Sequence, residues 1–349
     1  MFPDQLFVKT YGIMKCDEYD FLNFERLSVN KKITNKVITK RELMSHIKVE
    51  LTLLIRCKRK IKDELEKNHK VEDFNVIKFL CDQVFVMFHK MHELFSVEED
   101  ILSPFIKFCQ EDVSYIDSDN LSCLLDAVSR IPNNQNMWVQ LIKLILNLDG
   151  FDMQLSDHRD KLFNAFTKGV LALKDSLPLW KILIRHLRYK SPEVVEVLFK
   201  EATKGTKYFY DENISLAFRP RYLEWCLEFK GIDATRELFN DLKTLKPACH
   251  RLYLVMIAIE REEPNYEFDT IRKLFEEVTT LCGRDNVGVW IDYMRFEQEN
   301  GNKRLNHKII YNAVFKVKRE LLGTLYEQHH SLEKEFWTAL GKEVIVIDD

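Results

Sequence analysis

A pair of histidines is the first candidate for chemistry in this sequence. His89 and His92 form an HxxH pattern, which on a helix places two imidazoles on nearly the same face. A metal site needs further ligands, and Cys81 and Asp82, one to two turns earlier, could supply them. The ordinary alternative is two surface histidines near a helix end. That alternative is favoured, so we predict neither a bound metal nor a cofactor.

No catalytic motif supports an enzyme. The sequence contains no GxxxxGK[ST] or GxGxxG phosphate-binding loop, no GxSxG nucleophile turn and no HExxH zinc motif. The neighbours Cys249-His250 and His329-His330 point apart on a helix, so they form no joint site. We therefore predict a protein without enzymatic activity and without a small-molecule substrate.

A short basic cluster is the strongest candidate for binding. It could contact an RNA phosphate backbone or a partner, or act as a nuclear-import signal. The ordinary alternative is a solvated helix end, where positive charge suits the helix dipole. No aromatic residues are interleaved with the cations, so reading of bases is not indicated. The cluster consists of Arg56, Lys58, Arg59, Lys60 and Lys62.

Charge is unevenly distributed around this cluster. Residues 31–70 contain thirteen Lys and Arg against five Asp and Glu, a balance of +8, whereas residues 71–120 contain three against eleven, a balance of -8. Two binding faces would produce this pattern, as would neighbouring helices whose outer faces pair. The second explanation is favoured. The whole chain has a net charge of only -3, which gives no general argument for nucleic-acid binding.

Composition indicates a folded, intracellular protein. The 349 residues are 46% hydrophobic and 31% charged, enough for a core and too mixed in charge for disorder. No apolar run approaches the length of a membrane helix, and the N-terminus lacks the layout of a signal peptide. The eight cysteines are scattered without a CxxC pair, which predicts reduced and largely buried thiols.

Periodicity predicts an all-α fold built from repeats. The few glycines and prolines lie between segments whose apolar residues recur every three or four positions. Large residues at i, i+3 and i+6 recur at intervals of 36, 42, 42, 31 and 37 residues, with first members Leu102, Trp138, Trp180, Tyr222, Tyr253 and Trp290. Between them, a second helix carries paired apolar residues whose second members are Leu125, Phe163, Phe199, Phe239, Phe275 and Tyr311.

Each unit is thus a helix hairpin of about 36 residues whose aromatic stripe needs a neighbouring hairpin to cover it. The expected architecture is an α-solenoid. Glu297 could bond a polar group of the neighbouring hairpin or could equally be solvated, and we favour the structural role. The residues that mark the repeats, and which we expect to be structural, are Trp138, Trp180, Trp225, Trp290, Tyr293, Phe296, Glu297, Phe163, Phe199, Phe239, Phe275 and Tyr311.

Five segments are expected along the chain. Residues 1–39 form a partly irregular N-terminal segment, and residues 40–95 form long helices that carry the basic cluster. Residues 96–318 form the repeat array, residues 319–341 a capping helix over the final apolar face, and residues 342–349 an acidic tail. In the second segment, the spacing of Trp290, Tyr293, Phe296 and Glu297 is copied by Leu43, His46, Val49 and Glu50.

Three stretches of the sequence resemble a known family. The motif VWIDYMRFEQENGN, followed by HKIIYNAV, resembles the half-a-tetratricopeptide (HAT) repeat. Three stretches are similar to the U3 small nucleolar RNA-associated HAT proteins of the UtpB subcomplex: TKRELMSHIKVELTLLIRCKRK near the N-terminus, RYLEWCLEFKGIDATRELFNDL followed by TIRKLFEEVTTLCGRDNVGVWIDYMRFEQENGN, and IIYNAVFKVKRELLGTLYEQHHSLEKE near the C-terminus. A divergent or shortened member of that family is expected.

The resemblance implies a non-catalytic scaffold in the nucleolus. Such a subunit of the small-subunit processome helps to hold β-propeller partners on the 5′ part of the ribosomal RNA precursor during 18S maturation. Such a subunit associates with U3 RNA or with the ribosomal RNA precursor, either by direct contact or through its protein partners. The alternative is a HAT-repeat scaffold in pre-mRNA splicing or in 3′-end cleavage and polyadenylation.

Overall fold

The computed structural model describes residues 4–67, 75–96, 98–111, 118–148, 153, 155–205, 211–264, 266–300 and 303–339. Within these ranges the chain contains seventeen α-helices, one short 3-10 helix and no strand, so the predicted all-α fold is confirmed. The chain divides into two compact units, Met1–Pro192 and Glu193–Asp349. Their boundary falls inside the segment that the sequence predicts as one repeat array.

The first unit contains nine helices among the residues described. They are α1 (Gln5–Thr10), α2 (Cys16–Thr34), α3 (Lys40–Glu66), α4 (Asn75–Leu94), α5 (Glu99–Glu111), α6 (Ser118–Ser129), α7 (Gln135–Leu146), α8 (Ser156–Ala172) and α9 (Leu177–Leu187). The N-terminal segment, expected to be partly irregular, is therefore mostly helical where it is described. Helix α3 begins at a capping box in which Thr39 and Glu42 bond each other's backbone amides.

The second unit contains eight helices in its described part. They are α10 (Pro192–Lys204), α11 (Glu212–Lys230), α12 (Ile232–Leu242), α13 (His250–Glu262), α14 (Phe268–Leu281), α15 (Gly288–Glu299), α16 (Lys303–Lys316) and α17 (Leu322–Ala339). The 3-10 helix Arg319–Leu321 precedes α17.

Within each unit, helix hairpins stack as the repeat pattern predicts. Hairpins form between α7 and α8 in the first unit, and between α11 and α12, α13 and α14, and α15 and α16 in the second. First helices of successive hairpins also pack on each other, as α7 does on α9 and α11 on α13. Neighbouring hairpins therefore cover each other's apolar faces, which is the packing of a helical-repeat solenoid.

Aromatic rings join each hairpin to the next. A phenylalanine of a second helix contacts an aromatic residue on the following first helix, with ring centroids about 5 Å apart: Phe166 and Trp180 (4.9 Å), Phe199 and Tyr222 (5.1 Å), Phe239 and Tyr253 (5.2 Å), and Phe275 and Tyr293 (5.0 Å). In α8 this position belongs to Phe166, whereas Phe163, which the sequence pattern selects, is only half-buried.

Two glycines allow close packing around the tryptophans. The indole Nε1 of Trp290 donates to the carbonyl of Gly283 at 2.9 Å, and a Cβ on this glycine would lie 2.7 Å from that nitrogen. A Cβ on Gly169 would lie 2.9 Å from a methyl carbon of Leu179 and 3.1 Å from the ring of Trp138. The contact at Gly283 leaves no room for a side chain, whereas a side chain at Gly169 requires the methyl group of Leu179 to shift.

The last second helix departs from the predicted pattern. Helix α16 buries Ile309 and Ala313, and Val317 directly after it is also buried, whereas Tyr311 is 63% exposed. Helix α17, expected to cover the final apolar face, packs against α15 and leaves Tyr311 open. The 36-residue spacing predicts the position of this helix in the chain but not its rotation about its own axis, which depends on packing against α15.

Candidate interaction surfaces

The contacts between hairpins explain the buried glutamate that the sequence singles out. Glu297 on α15 is fully buried and receives two hydrogen bonds from Arg272 on α14, at 2.7 and 3.1 Å. Arg272 also bonds Asp269 on its own helix at 3.1 Å. These bonds raise the pKa of the Arg272 guanidinium. The expected structural role of Glu297 has a concrete form, an ion pair between hairpins.

The same arrangement occurs one hairpin earlier. Arg236 on α12 donates to both carboxylate oxygens of Glu260 on α13, each at 2.8 Å. The arginine side chain is 43% exposed and the glutamate side chain 9% exposed. We use the term seam pair for such a bidentate arginine–glutamate contact between a second helix and the next first helix.

A third seam pair lies at the N-terminal end. Arg26 on α2 donates to Glu50 on α3 at 2.6 and 2.7 Å, and also to Asp4 at 3.0 and 3.2 Å. The hydroxyl of Tyr19 donates to Asp4 at 2.8 Å, and burial together with this contact raises the pKa of Tyr19. Arg26, Asp4 and Glu50 have side chains that are at most 1% exposed. One buried guanidinium thus forms ion pairs with two buried carboxylates.

The three arginines were not found from the sequence, although a signal exists. Each arginine precedes its glutamate by 24 or 25 residues. A second buried arginine, Arg219 on α11, was also missed. It donates to the carbonyls of Leu245, Lys246 and Pro247 in the loop after α12. These residues hold the fold together and leave the outer helix faces available for partners.

The residues that mark the repeats are mostly buried in packing contacts. The buried members, all at most 7% exposed, are Trp138, Trp180, Trp225, Trp290, Tyr293, Phe296, Glu297, Phe199, Phe239 and Phe275. The exceptions are Phe163, half-buried, and Tyr311, exposed. Buried side chains cannot meet a partner directly, so these ten residues act on binding only through the fold.

The basic cluster lies on α3 and divides between two environments. Arg56, Arg59 and Lys62 are exposed on one side of the helix, opposite the buried residues of α3. Lys58 and Lys60 flank the buried side and are half-buried, and Lys60 pairs with Glu64 at 3.0 Å. We call the exposed set Arg56, Arg59 and Lys62 the basic face. Among the described residues, neither arginine of this face has a carboxylate partner.

In the described part of the acidic segment after α3, Glu98 and Asp100 form ion pairs away from the basic face. Lys40, at the start of α3, pairs with Glu98 at 2.6 Å and with Asp100 at 3.2 Å, near the start of α5. This contact is of the kind predicted for neighbouring helices with opposite charges. It lies four turns before Arg56, so it does not cover the basic face.

Of the histidine pair, His92 is buried in the core and His89 lies half-buried at its edge. His89 bonds the side-chain oxygen of Asn120 at 3.0 Å, whereas His92 is 6% exposed and its ring lies 5.6 Å from that of Phe105. Burial, together with the charges of His89 and Arg130, lowers the pKa of His92 to about 4. Within the part of the chain that the structure describes, no three His, Cys, Asp or Glu side chains are grouped as metal ligands.

The cysteine thiols are unpaired, and most are inert. Burial raises the pKa of Cys57 to about 12 and that of Cys81 to about 11. Both therefore stay neutral near pH 7 and are poor nucleophiles. In the described ranges, no helix is long and apolar enough to cross a membrane.

A groove lies in the second unit beside the seam pair Arg236 and Glu260. It has a volume of about 560 Å³, and Phe239, Lys243 and Tyr266 are also in its wall. Its wall mixes apolar and charged groups, and the charges of Arg236 and Glu260 are already paired with each other. The groove could receive side chains of a bound protein segment, but it contains no nucleophile beside a general base.

Comparisons with known proteins identify the family. The family model for the C-terminal part of U3 small nucleolar RNA-associated protein 6 matches residues 69–317, which is most of the chain. The chain belongs to this family. The matched region spans α4 to α16 and includes two of the three seam pairs.

Two curated relatives agree with the family match. A human protein named U3 small nucleolar RNA-associated protein 6 homolog is 27% identical over 120 residues, which is 34% of this chain and 18% of the relative. A mouse protein of the same name is 21% identical over 202 residues, 57% of this chain and 32% of the relative. The aligned region thus spans less than a third of either relative.

Proposed function

We propose that this protein is a non-catalytic scaffold subunit of a nucleolar ribonucleoprotein that acts in processing of the 18S ribosomal RNA precursor and in small-subunit biogenesis. The observation that carries the proposal is the family match over residues 69–317, because the family and both relatives are named for association with U3 small nucleolar RNA. β-Propeller proteins are the proposed protein partners.

The packing of the hairpins supports a scaffold. The aromatic rings and seam pairs contact each other between hairpins. Along the described helices, the residues on the outer faces are exposed to solvent. Stacked hairpins present a large surface that binds domains or peptides without a deep pocket. This is the physical form expected of a subunit that holds other proteins in place.

The basic face supports a contact with phosphate or carboxylate groups of the assembly. Arg56 and Arg59 stand on one side of α3, one turn apart, without neutralising partners in the described residues. Each contact between such a cation and an RNA phosphate contributes affinity that falls as salt concentration rises. RNA is thus the proposed ligand of this face, with U3 RNA or the ribosomal precursor as the source.

Affinity purification tests the proposed function. Purification of the tagged full chain from cells, with identification of bound proteins and RNA, should recover U3 RNA, precursor 18S sequences and propeller proteins, and microscopy should place the protein in the nucleolus. Recovery of spliceosomal or cleavage factors without U3 RNA would contradict the proposal and support the alternative pathway.

A charge-reversal experiment tests the basic face separately. Arg56→Glu, Arg59→Glu and Lys62→Glu, combined, should reduce ultraviolet crosslinking of the protein to RNA at least tenfold while U3 RNA still co-purifies through the partners. The matched control reverses three exposed cations on α8 and α9, Lys168→Glu, Lys181→Glu and Arg185→Glu, and should leave crosslinking unchanged. Equal crosslinking by both variants would rule out this face.

A further inference from the structure

One exposed surface on α16 combines aromatic and basic side chains. Tyr311 is 63% exposed and Phe315 is 72% exposed, and their ring centroids lie 4.7 Å apart. Lys308 is exposed one turn before Tyr311 on the same helix. We call these three residues the α16 face. The opposite side of the helix is buried in the fold, so the exposed aromatics are not part of the hairpin's own core.

Corresponding positions in the two preceding hairpins show what such a face does. Thirty-six residues earlier stand Arg272 and Phe275, and both contact the next first helix. Phe275 stacks on Tyr293 at 5.0 Å with nearly parallel rings, and Arg272 pairs with Glu297. A further 36 residues earlier, the pattern is repeated by Arg236 with Glu260 and by Phe239 with Tyr253.

In the described residues, the α16 face has no corresponding partner. Lys308 and Tyr311 occupy the positions of the arginine and phenylalanine by spacing, but α17 packs on α15 and leaves both side chains exposed. Among the described residues, Lys308 has no carboxylate partner. The face therefore retains the chemistry of a contact between hairpins, and the part of the chain that the structure describes does not supply the second half of that contact.

We infer that the α16 face binds an acidic amphipathic helix of another protein, one that carries an aromatic residue followed four positions later by a glutamate. Tyr293 and Glu297 have this spacing on α15. Charge favours an acidic partner, because residues 303–319 contain six Lys and Arg and no Asp or Glu. The inference rests on contacts within this chain and does not depend on the proposed role in ribosome biogenesis.

The chain itself supplies a defined probe. A fluorescent, hydrocarbon-stapled peptide of residues 286–300, the sequence of α15, presents the required aromatic residue and glutamate. Fluorescence anisotropy with the full chain should show saturable binding, and combined Tyr311→Ser and Phe315→Ser should weaken it at least tenfold. The matched control is Tyr326→Ser on α17, which removes another exposed tyrosine (53%) and should leave the affinity unchanged.

A charge swap makes the test specific. Lys308→Glu should weaken binding of the peptide several-fold, and a peptide carrying Glu297→Lys should recover affinity for that variant. Absence of binding, or equal affinity for all variants, would overturn the inference. Self-association of the chain that the same substitutions abolish would assign the face to a second copy, and binding of an RNA oligonucleotide in place of the peptide would assign it to RNA. Either result would also overturn the inference.

Discussion

The seam pairs at the two ends of the chain have the same chemistry and different surroundings. Arg26 and Glu50 join α2 to α3, and Arg272 and Glu297 join α14 to α15, each through two short hydrogen bonds. The Arg26 side chain is 1% exposed and shares a second carboxylate, Asp4, whereas the Arg272 side chain is 25% exposed. We infer from this difference that desolvation of the guanidinium, more than bond geometry, determines how strongly the fold depends on each pair.

Removing the fully buried cation should have the largest effect. Arg26→Met leaves Asp4 and Glu50 as uncompensated buried charges, which typically costs about 3–5 kcal/mol. Urea denaturation of the full chain should show this loss in the transition of the first unit. Adding Glu50→Gln to the variant should restore part of the stability, because one buried charge is removed. A loss of unfolding free energy below about 1 kcal/mol would contradict the large contribution to stability that we assign to this pair.

Acidification should destabilise the first unit, because His92 in that unit is buried in its neutral form. Its pKa is lowered to about 4 in the folded chain against 6.5 for the free side chain, so below pH 6.5 the unfolded chain binds the proton more readily. Stability should therefore fall as the pH drops from 6.5 towards 4, by up to about 3 kcal/mol. Denaturation curves at several pH values measure this effect, and His92→Phe should remove it. An unchanged pH dependence in the variant would exclude His92 as the cause.

A substitution of Gly283 in the second unit should have a smaller effect on stability, because it disturbs packing and removes no charge. In Gly283→Ala the new Cβ would overlap the carbonyl oxygen of Thr279 and would lie 2.7 Å from the Trp290 indole nitrogen. Relief of such overlap should cost about 1–3 kcal/mol, measured by thermal unfolding. Gly323→Ala on α17 is the control, because its Cβ would meet no atom within 4 Å and alanine favours a helix. Equal melting shifts for both variants would contradict the packing argument.

Much of this fold could be predicted from the sequence, for identifiable reasons. Hydrophobic period and repeat spacing depend on short-range geometry, so they predict the helices and the burial of Trp290. The copied spacing places Glu50 and Glu297 at equivalent positions, and the structure adds that both are buried. Helix rotation depends on the packing of neighbours, which explains why Phe166 replaces Phe163 and why Tyr311 faces outward. The arginine partners were missed because their contacts cross between hairpins.

Double-mutant cycles on the two seam pairs measure how much each pair contributes to the free energy of unfolding. They therefore test whether desolvation of the guanidinium determines that contribution. Arg→Met and Glu→Gln substitutions, singly and combined, give the coupling energy of Arg26 with Glu50 and of Arg272 with Glu297. We predict a coupling of about 2–3 kcal/mol for Arg26 with Glu50 and about 1 kcal/mol for Arg272 with Glu297, by analogy with buried and surface ion pairs. Equal couplings, or a larger one at Arg272, would contradict it.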